Sequence, residues 1–396
     1  MARSFSQRLL GSFQRVTTSG QFLPEIDGLR FVAIFSVFIY HLGGDVVRHW
    51  PAASFQSVQS SRVYRLTEVL NFGVPLFFVI SGFILGLPFA AQYLTVGKPV
   101  QLGKYFVRRV TRLEPPYVLS MLLFFALKLA GQRGTFSELL PNLAASLAYL
   151  HNQILAAPSV ISIVAWSLET EIQFYVLAPL LAVLFRIRPV WTRRLVIAVL
   201  CLLLAGVQAA VPPSTRFDLS LLGFGQYFLA GFLLADIYLL RRPAAGSRAW
   251  DWISLAGWPL LLTLLGREVV PFVAPFLIVL LYYGAFRAAW VNRMFTNIWI
   301  TTIGGMCYTI YLLHNYAIAW CGQYTQPLAS SESFVLRLAV QFLLITPPVL
   351  LASALYFRLV ERPCMLPDWP MRLMSALGWR GEARRVESTV LERLSP

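Results

Sequence analysis

Ten runs of predominantly apolar residues, at 29–44, 68–91, 114–131, 166–186, 193–211, 219–240, 252–267, 269–287, 299–321 and 335–358, take up most of the chain. Each approaches the roughly 20 residues that a helix needs to cross a bilayer. In hydrocarbon a backbone must satisfy its own hydrogen bonds, which leaves helices or closed barrels, and runs of this length read as helices. Hydrophobic residues make up 57% of the 396 positions and charged residues 13%, a balance that excludes a soluble globular chain of this size. The expected fold is all-α: a polytopic transmembrane helix bundle of about ten spans. The least regular runs are the short first one and the pair divided only by Arg267-Glu268.

The net charge of +15 does not point to nucleic acid, because the Lys and Arg residues collect at the ends of the apolar runs. With the N-terminus inside, 24 of the 33 basic residues fall in cytoplasmic segments and six in outer ones. Arg30, Lys128 and Arg337 fall within spans. This asymmetry predicts ten spans with both termini cytoplasmic. Residues 1–25, with Arg3, Arg8 and Arg15 among Phe5, Leu9, Leu10, Phe13 and Val16, read as a basic amphipathic helix on the membrane surface, not as a cleaved signal peptide. Residues 138–157 are moderately apolar but polar at Asn142, His151, Asn152 and Gln153, and read as an interfacial or re-entrant helix. One membrane domain over 26–363 and a short cytoplasmic tail over 364–396 complete the organisation. The four cysteines suggest neither a disulfide framework nor a metal site.

An ionisable side chain inside an apolar span is a functional hypothesis by default. His41 is one, at the end of the run that begins Asp27-Gly28-Leu29-Arg30. Eleven helical steps turn through roughly 1100° and rise about 16 Å, so Arg30 and His41 share a face. His314 is a second, within Tyr308-Thr309-Ile310-Tyr311-Leu312-Leu313-His314. A metal held by His41 and His314 lacks a third ligand at any familiar spacing. His49 and His151 fall in outer segments and read as solvated.

Three further stretches carry chemistry. Ser81-Gly82, in the middle of the second run, admits a ligand or, equally, another helix close to the backbone. Arg109 and Arg112, three apart at the head of the third run, present a guanidinium pair that suits phosphate, or plain anchoring at the inner surface. Glu169 and Glu171 stand about 200° apart around a helix and so face different ways.

The combination of Asp27-Gly28-Leu29-Arg30 ending in His41, Phe77-Phe78-Val79-Ile80-Ser81-Gly82-Phe83, Arg109-x-x-Arg112, Trp166-Ser167-Leu168-x-x-Glu171-x-x-Phe174-Tyr175, Tyr308-x-x-Tyr311-Leu312-x-His314 and Glu361-Arg362-Pro363 resembles the acyltransferase-3 family of membrane acyltransferases. The resemblance runs from residue 27 to 363. It implies a ten-span bundle in a bacterial inner membrane that moves an acyl group, usually acetyl, from acyl-coenzyme A to a hydroxyl of a glycan or small molecule, with no tightly bound cofactor. It places His41, Arg30 and Glu171 in catalysis, with His41 as base, and Arg109, Arg112, Ser81, Tyr311 and His314 in substrate binding. Ile172 and Cys307 depart from the commoner acidic residue and serine at those positions. No fused esterase-like domain is expected after the bundle, which leaves open whether a partner completes the transfer.

A neutral imidazole suits activation of an acceptor hydroxyl, and Asp45, one turn beyond His41, could orient the ring if the helix survives Gly43-Gly44. A structural, hydrogen-bonded histidine is the plain alternative. The competing function is a transporter or flippase, which would also bury Arg, Glu and His but would be expected to show paired half-helices or internal symmetry. If Arg30 sits at the inner interface, His41 lies near mid-membrane. Donor and acceptor are then expected to reach it from opposite sides.

Overall fold

The computed structural model describes residues 13, 15, 22–51, 55–241, 246–329, 331–366 and 369, and all regular structure among them is helical. The surface helix expected over 1–25 and the tail from 364 onward lie mostly outside the described residues. The principal helices are α1 (Pro24–Arg48), α2 (Gly73–Leu94), α3 (Leu102–Ala130), α4 (Phe136–Leu147), α5 (His151–Leu155), α6 (Ala165–Leu181), α7 (Val190–Ala210), α8 (Leu221–Leu240), α9 (Arg248–Leu264), α10 (Val270–Arg287), α11 (Ile298–Gly305), α12 (Cys307–Thr325) and α13 (Phe334–Tyr356).

Eight helices among the described residues are long and apolar enough to cross a bilayer, counting short extensions of α2, α6, α8 and α13. Two of the ten expected spans fall short. With 17 residues, α9 stands at the short end of the roughly 17–25 that cross a bilayer. The run over 299–321 breaks at Gly305-Met306 into α11 and the polar-rich α12. Large apolar side chains such as Leu180, Leu203, Leu343 and Leu351 stand exposed, as a hydrocarbon-facing surface requires. Exposed Trp191, Trp299 and Trp320 lie near helix ends, where interfacial aromatics belong.

The centre of the bundle is the crossing of α2 and α8. A side chain at Gly82 would run into the Phe228 carbonyl, and one at Gly231 into the Val79 carbonyl, so the two backbones touch. Such close approach of small residues is how helices associate where lipid removes the usual hydrophobic drive. Around the crossing Phe228 stacks on Phe78 at 4.5 Å and on Phe174 at 4.2 Å between centroids. At the ends of α7 and α8, buried Asp236 accepts from Arg193 and, at 2.6 Å, from Arg194. Breaking a buried pair of this kind is costlier than never having made it.

Two local expectations change. Gly43-Gly44 do not end the first helix, because Gly43 is the point where Thr67 packs against α1, its Oγ1 only 2.9 Å from where a Cβ would lie. His151 is not solvated but fully buried: its Nδ1 meets the Ala157 carbonyl at 2.9 Å and its Nε2 the Asn142 side chain at 2.8 Å. The segment carrying it is split into α4, opened by a Thr135–Glu138 capping box, and the single turn α5, too short to span. His49 is exposed, as expected.

Candidate active site

Helix α1 starts cleanly because Pro24 occupies its first turn and Glu25 and Asp27 complement its positive end. Buried Asp27 accepts from Arg30 Nη1 at 2.6 Å, and the Arg15 guanidinium lies 3.9 Å from the same oxygen. Helix α11 leans directly on this turn, since any side chain at Gly304 would collide with the Asp27 carbonyl. Arg30 is thereby held at the wall of a cavity.

That cavity contains about 880 Å³ of empty space, a figure that includes its open mouth. It is lined by Arg15, Arg30, Arg109 and Arg112, by Glu171 and Glu361, and by Ser81 and Tyr311 among others. Arg109 lies over the Tyr175 ring at 5.5 Å and the Tyr105 ring at 5.9 Å, contacts that fix a guanidinium while leaving its edges available. Arg112 Nε is buried without a hydrogen-bond partner. A buried, unpaired donor costs roughly 1–3 kcal/mol, more when charged, and an acceptor on a ligand would remove that cost. Four guanidinium groups against two carboxylates make the cavity a place for a multiply charged anion.

The carboxylates have their own partners. Glu171 accepts from Ser81 Oγ at 2.5 Å and from Tyr175 OH at 2.6 Å, so Ser81 faces the site while its neighbour Gly82 serves packing. Glu361 accepts from Thr309 N at 3.2 Å and Thr309 Oγ1 at 2.5 Å. It closes a π-helical turn, Phe357–Glu361, a widening often found at functional sites. Tyr311 OH and Ser167 Oγ lie 2.6 Å apart across the cavity wall. Glu169 faces away, accepting from the backbone N–H of Asn152, so the two acidic residues of α6 serve different places.

His41 stands three turns beyond Arg30 on the unbroken α1, outside the residues that line the cavity. Its Nδ1 is 2.8 Å from Asn315 Nδ2. Its ring centroid lies 5.0 Å from that of His314 and 5.0 Å from that of Tyr40. His314 is fully buried, and its Nδ1 meets the Tyr311 carbonyl at 2.8 Å and the Ile310 carbonyl at 3.0 Å. The His314 ring packs on Tyr311 at 5.7 Å, and Tyr311 packs on Phe77 at 6.0 Å. Tyr311 and Phe77 both line the cavity, so they join it to the histidine pair.

Of the residues picked from sequence, Arg30, Arg109, Arg112, Ser81, Glu171 and Tyr311 share one cavity, while His41 and His314 meet each other beside it. The hydrogen bonds of Glu171 go to Ser81 and Tyr175, not to His41. Asp45 does not orient His41; its carboxylate accepts from Gln326 at 3.0 Å and Arg48 at 3.5 Å, and Asn315 holds the ring instead. Sequence reasoning missed Asn315 altogether, read Arg15 only as part of a surface helix, and gave Ser167 and Glu361 no role. The latter two were visible as motif members; Asn315 had only its place beside His314 as a signal, and Arg15 only its charge.

A helix bundle that sets an arginine-lined cavity beside a histidine pair defines a membrane protein with a polar site inside its apolar body. Residues 23–358 match the acyltransferase-3 family, described as an acyltransferase domain, and the chain belongs to that family. The O-acetyltransferase OatA of Staphylococcus aureus strain NCTC 8325 / PS 47 is 25% identical over 342 residues, covering 77% of this chain and 52% of that protein, as is OatA of strain COL. A further protein of strain COL, named provisionally as an O-acetyltransferase, is 23% identical over 338 residues with the same coverage. The chain thus spans about half the length of the curated relatives it matches. No solved structure matches it.

Proposed function

We propose that this protein is a membrane O-acyltransferase that moves an acyl group, acetyl by preference, from acyl-coenzyme A to a hydroxyl of a glycan or other acceptor. The observation that carries this reading is the cavity that gathers Arg15, Arg30, Arg109 and Arg112 within one aromatic contact of the histidine pair. The arginines take the phosphates of the donor, with Arg109 and Arg112 offering bidentate forks. The pantetheine arm runs inward past Ser81 and Tyr311, and the histidines activate the acceptor hydroxyl. Ten crossings with both termini cytoplasmic remain part of the proposal, with α9 and the α11–α12 pair completing the count, and the bacterial inner membrane is the proposed location.

Because His41 lies about 16 Å beyond Arg30 along α1, near the middle of the hydrocarbon, we favour an acceptor that enters from the side opposite the donor. A transporter would share the buried charge but has no need of a phosphate-binding cavity beside paired imidazoles. The test is turnover of acetyl-coenzyme A by purified protein in liposomes, with solute uptake followed alongside. Release of free coenzyme A dependent on a hydroxyl acceptor is the expected result; solute uptake without thioester cleavage would overturn the assignment. In sealed vesicles with donor confined to the cytoplasmic face, acceptor on the opposite side becomes acylated. Product formed only when both share one compartment would replace the two-sided route with a shared entrance.

A further inference from the structure

Two imidazoles with centroids 5.0 Å apart have no reason to be identical, and their surroundings differ. His314 Nδ1 faces two carbonyl oxygens, of Tyr311 at 2.8 Å and Ile310 at 3.0 Å. Carbonyls only accept, so Nδ1 carries the proton and the neutral ring keeps its lone pair on Nε2. That Nε2 is buried and has no hydrogen-bond partner, on a side chain that is fully buried. His41 Nδ1 faces Asn315 Nδ2 at 2.8 Å. An amide nitrogen only donates, so His41 Nδ1 holds a lone pair and its proton sits on Nε2. The two neutral rings are opposite tautomers.

From this geometry we infer that Asn315 is a positioning residue that fixes His41 as the Nε2–H tautomer, so that the pair presents one hydrogen-bond donor and one bare acceptor to a substrate hydroxyl and its acyl partner. The inference rests on the acyl-transfer reading and refines it: the bare Nε2 of His314 takes the proton, and His41 donates. In the step so assigned, the acceptor oxygen attacks the thioester carbonyl, its C–O bond forming as the C–S bond breaks. The hydroxyl proton passes to His314 Nε2 and from there to the departing thiolate, giving ester and free thiol. The Nε2–H of His41 donates to the carbonyl oxygen, where negative charge develops, an arrangement that acts only as the charge appears. His41 is then required for a different reason from the one its position alone suggests, and Asn315 acts through it.

The chain has four histidines, so the tautomers can be read directly from ¹⁵N spectra of histidine-labelled protein in liposomes, with His41→Gln and His314→Gln assigning the two resonance sets. The expected result is a protonated Nε2 and bare Nδ1 on His41, with the reverse on His314. In Asn315→Leu, which keeps the side-chain size without the amide, His41 becomes a mixture of tautomers. In the same variant kcat for acetyl transfer falls by about 10–100-fold, less than the roughly 10²–10³-fold of a lost oxyanion contact because part of the population keeps the productive tautomer, while KM for the donor stays within twofold. Protonated Nδ1 on wild-type His41, or a His41 spectrum unchanged in Asn315→Leu, overturns the inference. Expected spectra in a protein that never cleaves acetyl-coenzyme A uphold the positioning by Asn315 and defeat the acyl-transfer reading alone.

Discussion

The arginine-lined cavity and the histidine pair lie one tyrosine apart, yet charge is handled differently in each. In the cavity, guanidinium groups outnumber carboxylates four to two, and Arg112 retains an unpaired buried donor. At the histidine pair, the two Nδ1 atoms meet uncharged groups, an amide and backbone carbonyls, and the unpartnered atom, His314 Nε2, belongs to a ring that can be neutral. The first arrangement suits holding a polyanion, the second suits moving a proton without stranding charge in hydrocarbon. In the proposed reaction, dividing the tasks would let the donor's phosphates stay among the arginines while its thioester reaches the imidazoles.

If that division is real, variants on the two sides fail in different ways. The largest effect belongs to His41→Ala, which should lower turnover of acetyl-coenzyme A by roughly 10²–10⁴-fold while the protein still inserts and folds; normal turnover removes His41 from the chemistry. Next come Arg109→Ala and Arg112→Ala. Each should weaken donor binding by about 10–100-fold, on the basis of roughly 1.5–3 kcal/mol for hydrogen bonds to charged groups. Lys should restore little of it, because a point charge lacks the fork. Unchanged affinity in both Ala variants would return these arginines to topology signals. Ser81→Ala, read by turnover, should cost about 1 kcal/mol, roughly a fivefold change, by releasing one donor from Glu171. The smallest effect tests the periphery: Thr135→Ala removes the capping box of α4 and should lower stability by about 1 kcal/mol with turnover unchanged. A loss of activity there would mean that the corner carrying buried His151 is coupled to the site.

The helical, membrane-spanning character of the fold was legible because apolar runs near bilayer length admit few solutions. The Arg30–His41 face was legible because helix geometry is periodic. What was not legible depends on which segments come together. Gly43-Gly44 reads locally as a stop, and only the arrival of Thr67 makes Gly43 a packing point inside a continuous helix. The break at Gly305-Met306 lies beside the point where Gly304 packs on the Asp27 carbonyl, a contact nearly 280 residues apart in the chain. His151 looked solvated because its burial is made by Asn142 and Ala157 in neighbouring turns. Asp45, one turn beyond His41, was a conditional candidate to orient the ring, but α12 brings Asn315 in and Gln326 bonds Asp45. Periodicity places a residue on a face of its own helix; it does not say which other helix that face meets.

The central claim is that donor binding and acyl transfer are separable within one bundle, and equilibrium binding of acetyl-coenzyme A to His41→Ala and Arg112→Ala, measured by calorimetry in detergent beside turnover of each, tests it most directly. The account predicts that His41→Ala binds donor within about twofold of the wild type and does not turn it over, while Arg112→Ala loses at least tenfold in affinity. If His41→Ala lost donor affinity as severely as Arg112→Ala, or if Arg112→Ala bound normally, the cavity and the histidine pair would not divide the work as proposed.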